Sequence, residues 1–237
     1  MVPIGDKPIL WHIMKIYAAH GINEFVLLLG YKGDLIREFF LNFALHTIDV
    51  TIDLGRTDSE RLTFHGPPAE PWKVTLVDTG EAAMTGARLR RARPFLEGCD
   101  MFCATYGDGL GDIDITRSVE FHRSHGKIAT LTGVRPPGRF GALNVDETRV
   151  QAFNEKPQVS GGFINGGFFV FQLEFLDDYL DDREDLMLER EPLEKLSKSG
   201  ELMMFEHNGF WQPMDTPREY QLLNELWERR EAPWKVW

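Results

Sequence analysis

The chain has 237 residues, 43% of them hydrophobic and 12% aromatic, enough apolar material for one sizeable core. Its 37 acidic against 26 basic residues give a formal charge of −11, which excludes a polyanion such as nucleic acid as partner but leaves room for a local basic pocket holding a small phosphate. Two cysteines, Cys99 and Cys103, are too few for a disulfide framework or a zinc site and read as reduced thiols. No apolar run reaches the roughly 18 residues of a membrane span. The opening "MVPIGDKP" has no basic stretch leading into an apolar one, so a cytoplasmic protein is expected.

In chain order, Pro8 suits a first helical turn, and Leu10, Ile13, Met14 and Tyr17 follow at helical spacing until Gly21. "FVLLL" (Phe25 to Leu29) is a continuous apolar run of the kind found in strands covered on both faces. Leu35, Ile36, Phe39, Phe40 and Phe43 make a second helical stripe. Further strands are predicted at Val50 to Leu54, Val74 to Val77, Met101 to Thr105, Ile128 to Val134 and Gly167 to Phe171. The polar, proline-bearing "RTDSERLTFHGPPAEPW" reads as an excursion. Alternating strands and helices imply one domain, 1–237, built as an open, mostly parallel three-layer α/β sheet that binds ligands beyond its strand ends.

"TYGDGLGDID" drives an apolar strand straight into Asp108 at such an end, where Gly107 and Gly109 let backbone approach a ligand. A surface turn explains a lone Gly-Asp-Gly as well. Asp215 in "GFWQPMDTP" is the natural second carboxylate. It precedes Thr216, Pro217 and Glu219, which read as N-cap, first-turn proline and the reciprocal glutamate of a capping box. Two carboxylates plus substrate phosphates suit Mg²⁺. His122 and His125 lie three apart with no third soft ligand, and an exposed helix end is expected there in preference to zinc. Counting an EF-hand from Asp108 puts Leu110 at a liganding position, so that reading fails.

Lys156 in "FNEKP", locked by the proline after it, is a candidate point charge for a phosphate monoester. Asn165 in "INGGFF" can serve hydroxyls as donor and acceptor. "MTGARL" opens a basic helix through Arg88, and its N-terminus is expected to suit a nucleotide.

Together "KPILWHIMKIY", "EPWKVTLVDTG", "MTGARL", "TYGDG", "PPGRFGAL", "NEKP", "INGGFFVF" and "GFWQPMDT" resemble the glucose-1-phosphate cytidylyltransferases, sugar-nucleotide pyrophosphorylases that make CDP-glucose from CTP and glucose 1-phosphate. The resemblance implies a Rossmann-like mixed sheet of the nucleotide-diphospho-sugar transferase type and homo-oligomers, for which the aromatic tail "APWKVW" is a candidate surface. It also implies Asp108 and Asp215 on the catalytic Mg²⁺, Lys156 on the sugar phosphate, and Glu155, Gly141, Asn165 and Gly166 around the glucose. Thr85, Gly86, Arg88 and Gly107 fall on the nucleotide side. One departure stands out: the family's opening strand and "GGxGTRL"-type loop, about two dozen residues, are not in this sequence. The expectation is an opened sheet and a rate lowered on the order of 10³- to 10⁵-fold. Against the enzyme stand a non-catalytic sugar-phosphate or nucleotide sensor, a relative using another nucleoside triphosphate, and a glycosyltransferase with Asp112 and Asp114 as its Asp-x-Asp.

Overall fold

The computed structural model describes residues 1–136, 142–146, 149–154 and 162–237. A small ribbon, β1 (Pro3–Ile4) with β2 (Lys7–Pro8), leads into α1 (Ile9–Ala19), which Gly21 ends at φ 82°. Next come β3 (Glu24–Leu29), α2 (Gly33–Leu41), α3 (Phe43–Thr47), and the hairpin of β4 (Asp49–Ile52) and β5 (Leu62–His65). Then follow β6 (Lys73–Asp78), the short α4 (Thr85–Arg91), β7 (Met101–Thr105) and β8 (Gly109–Gly111). The centre of the chain holds α5 (Ile115–His125), β9 (Ala129–Val134), the hairpin strands β10 (Ala142–Asp146) and β11 (Arg149–Asn154), and β12 (Ile164–Gln172). It closes with α6 (Phe175–Asp178), α7 (Glu191–Ser199), β13 (Leu202–His207), β14 (Trp211–Pro213) and α8 (Pro217–Glu228).

The expected mostly parallel sheet is mixed. Its four-stranded body has the order β13-β9-β12-β7, with β9 parallel to β13 and β12 antiparallel to both neighbours. The reason is the connection. Between β9 and β12 the described chain offers a hairpin and no crossover helix, so β12 begins where β9 ends, Ile164 opposite Val134, and must run back. The run predicted at Val50 to Leu54 does form a strand, but in the separate, exposed β4–β5 hairpin.

The parallel pair β3–β6 stands apart from that body: β3 pairs only with β6, and β7 only with β12, among the described residues. Helices bridge the break. On one face α1 joins Phe25 of β3 to Cys103 of β7 through a cluster containing Ile13, Tyr17 and Phe168. On the other, Ala87 and Leu89 of α4 pack in the cluster of Phe102 and Ala104, while Arg88 of the same helix donates to the Leu29 carbonyl at the end of β3.

One histidine reading changes. His122 is fully buried rather than at an exposed helix end, with Nδ1 2.9 Å from the Thr130 hydroxyl and Nε2 3.0 Å from the Gln172 amide. Both ring nitrogens thus meet neutral partners on β9 and β12, which lets a polar ring sit in the interior. The tail is likewise not a free aromatic surface. Trp234 is fully buried, its Nε1–H pointing at His12 Nδ1 (3.4 Å), with Phe210 and Trp227 stacked beside it. No helix among the described residues is long and apolar enough to cross a membrane.

Candidate active site

Strand β7 ends at Thr105, Tyr106 gives way to Gly107 and Asp108, and the chain then turns into β8. That strand pairs antiparallel with β14, Trp211 opposite Gly111 and Pro213 opposite Gly109. One rung further, the Met214 N–H donates to the Asp108 carbonyl at 2.8 Å, which sets Asp215 beside Asp108 across 107 positions of sequence. The capping box is formed. Glu219 Oε2 accepts from the N–H groups of Asp215 and Thr216, both at 2.9 Å, and the Thr216 hydroxyl accepts from Glu219 N–H. Asp215 is therefore anchored through its own backbone to the first turn of α8.

Both acids line one open cleft of about 320 Å³ with Tyr106, Asn165, Trp211 and Glu219. Burial raises the Asp108 carboxyl above the ordinary carboxylate value, and the Asp215 charge adds to it. Two carboxylates brought together on one cleft fit a divalent cation. Among the described residues no three His, Cys, Asp or Glu side chains converge as a metal centre. Two carboxylates, with water and phosphate oxygens to fill the remaining positions, would suit Mg²⁺. At Gly107 an added Cβ would meet nothing of the protein within 4 Å, so the space in front of that backbone is open to a ligand.

Asn165 also faces the cleft. Its Oδ1 accepts from Gly167 N–H at 2.9 Å, and its Nδ2 lies 3.5 Å from the Tyr106 hydroxyl. The glycines beside it serve packing. Gly166 is buried where a Cβ would come within 3.0 Å of the Thr132 carbonyl. Gly167, at φ 77°, lies against the Tyr106 ring where no side chain fits. This glycine pair makes the bulge at which β12 changes register against β9, and Trp211 Nε1–H reaches back to the Gly166 carbonyl at 2.9 Å.

On the nucleotide side, two of the N-terminal donors of α4 are taken: Gly86 and Ala87 N–H both go to the Leu186 carbonyl, at 2.9 and 3.2 Å. Gly86 is glycine because a Cβ would stand 3.0 Å from that oxygen. The Arg88 guanidinium turns inward, donating to the carbonyls of Leu29 and Glu81 and to the Thr79 hydroxyl. Thr85 donates its hydroxyl to Glu189 Oε2 at 2.8 Å. Glu189 was not legible as a site residue, and neither was Tyr106, which also bonds it. No sequence motif surrounds Glu189, and only the fold brings it to α4. Gly141, Glu155 and Lys156 lie outside the described residues.

The "DID" pair lies elsewhere. Asp114 caps α5 by accepting from Arg117 N–H at 2.9 Å, and Asp112 Oδ1 lies 3.1 Å from His207 Nε2. Neither lines the cleft.

Residues 1–220 match the family model described as Nucleotidyl transferase. The chain belongs to this family. It is 51% identical to the glucose-1-phosphate cytidylyltransferase of Salmonella typhi over 237 residues, covering 100% of this chain and 90% of that protein. It is 42% identical to a probable glucose-1-phosphate cytidylyltransferase of Bacillus subtilis, covering 99% of this chain and 89% of the relative. Among solved structures, that of HddC from Yersinia pseudotuberculosis superposes with a TM-score of 0.68 at 23% identity, covering 96% of this chain and 88% of the other. That likeness establishes the fold, an α/β architecture of mixed sheet and flanking helices. The chain is thus a nucleotidyltransferase.

Proposed function

We propose that the protein transfers the cytidylyl group of CTP to glucose 1-phosphate, releasing pyrophosphate and forming CDP-glucose. The observation that carries this reading is the meeting of Asp108 and Asp215 on one cleft, in a chain half identical to curated glucose-1-phosphate cytidylyltransferases. A phosphate oxygen of glucose 1-phosphate attacks the α-phosphorus in line. The new O–P bond forms as the bond to the pyrophosphate leaving group breaks. Such a reaction asks for alignment and charge screening, not for a protein nucleophile.

Mg²⁺ bound between Asp108 and Asp215 would screen the triphosphate. Asp108 and Asp215 would hold it, each fixed by backbone: one by the β8–β14 ribbon, the other by the capping box. Asn165 and Tyr106 present an amide and a phenol to the sugar hydroxyls, and the family resemblance assigns Glu155 and Gly141 to the same sugar. Lys156 supplies the countercharge for the sugar phosphate. Gly107 lets the nucleotide approach backbone. Thr85, Gly86 and Arg88 frame that side by packing, since their donors are spent on protein acceptors. On this reading the protein is a cytoplasmic, single-domain enzyme that works as a homo-oligomer.

The test is pyrophosphate release from glucose 1-phosphate with CTP, UTP, dTTP and GTP, each with Mg²⁺. Release with CTP above the other three is expected, with a loss of at least about 10³-fold in Asp108→Asn. Preference for another triphosphate would reassign the nucleotide. Tight binding of CTP or glucose 1-phosphate with no release from any mixture would make the chain a sensor.

A further inference from the structure

Behind the cleft, one carboxylate gathers two hydroxyl groups from different layers of the fold. Glu189 sits just ahead of α7 and does not line the cleft. Its Oε2 accepts from the Thr85 hydroxyl on α4 at 2.8 Å, and its Oε1 accepts from the Tyr106 phenol at the end of β7. Thr85 is itself fixed, because its oxygen accepts from Leu188 N–H at 2.9 Å. The phenol oxygen lies 3.5 Å from Asn165 Nδ2, while Asn165 Oδ1 is taken by Gly167 N–H. This chain of bonds decides which way two cleft-lining groups face. The phenol must donate to Glu189, so its oxygen is left as an acceptor. The Asn165 amide must turn its nitrogen to that oxygen, which leaves one Nδ2 hydrogen for a ligand.

We propose that Glu189 is a positioning residue for the sugar-phosphate half of the site, acting through Tyr106 and Asn165. The assignment rests on the cytidylyltransferase reading above. A bond to a charged acceptor is stronger than one between neutral groups, so the carboxylate is what holds the phenol in one rotor. With Glu189 gone, the Tyr106 O–H is free to turn toward Asn165 or water, and the amide loses its fixed neighbour. The loss falls on the ligand that the Tyr106–Asn165 edge reads. The CTP side changes less, because Thr85 stays fixed by the Leu188 N–H when Glu189 is removed.

Calorimetric titration with Mg²⁺, of glucose 1-phosphate and separately of CTP, tests this in the parent, Glu189→Ala, Glu189→Gln, Tyr106→Phe and the Glu189→Ala/Tyr106→Phe double variant. Glu189→Ala should weaken glucose 1-phosphate roughly tenfold with CTP changed less than about twofold. Glu189→Gln should recover part of the loss, since its amide oxygen still accepts from Tyr106 while its nitrogen donates to Thr85. The double variant should lose no more than the larger single one, because both act along one path. Three results overturn the proposal: unchanged glucose 1-phosphate affinity in Glu189→Ala, an equal loss for both ligands together with a lowered melting temperature, or additive losses in the double variant. A parent that binds CTP but not glucose 1-phosphate overturns the cytidylyltransferase reading instead, and the assignment of Glu189 with it.

Discussion

At Asp108, function and stability pull in opposite directions. Burial and the neighbouring Asp215 raise its carboxyl, so the folded protein takes up a proton there at a higher pH than the unfolded chain does. Folding stability therefore falls as pH rises from the ordinary carboxylate value through the raised one, and it stays lowered at neutral pH. Asp108→Asn removes that cost along with the cation site. With chelator at pH 7, the variant should melt about 1–2 °C higher than the parent while releasing no pyrophosphate. A lower melting temperature would mean that Asp108 holds the fold together rather than a ligand. Legibility at this scale followed local chemistry. Asp108 and Asp215 stood out because strand end, glycines and capping box all lie within a few residues of them. Glu189 and Tyr106 did not, because their partners come from segments 83 residues away.

At the scale of elements, the first turn of α8 both starts a helix and holds a carboxylate. Thr216→Ala removes the side-chain acceptor of the capping box and should cost about 1 kcal/mol in urea unfolding. Because Glu219 holds the Asp215 and Thr216 N–H groups together, the same variant should also weaken Mg²⁺-dependent turnover. Full retention of turnover would separate the cap from the site. The α5–β9–β12 layer carries a second consequence. Burial, with the His125 charge added, pushes His122 down to about 4 from an ordinary value near 6.5. Unfolded chains bind that proton first, so stability is complete above pH 6.5 and is lost as pH falls toward 4. Replacing His122 with Gln should flatten this slope in urea midpoints taken between pH 7 and 4.5. A slope that survives belongs to other groups.

For the whole molecule, the break between β3 and β7 matters most. A strand with one unpaired edge keeps half its amides out of the ladder, and among the described residues α1 and α4 pack across the gap. Hydrogen exchange should find the β9 and β12 amides, paired on both sides, protected far longer than those on the open edges of β3 and β7. Uniform protection across β3, β7 and β12 would show the gap closed in solution.

The sequence alone determined what rests on near neighbours: the strands at β3, β6, β7 and β9, the helix stop at Gly21, the capping box before α8, and a carboxylate at the end of an apolar run. Those features come from backbone stereochemistry and from patterns only a few residues long. Tertiary structure decided the rest. Strand direction in β12, the pairing of Asp108 with Asp215, the inward turn of Arg88, the plugged start of α4 and the burial of His122 each depend on which distant segment arrives alongside. Hydrogen bonds and charge repulsion reach only a few ångströms, so residues far apart in the chain acquire their roles only once the fold has closed the distance between them.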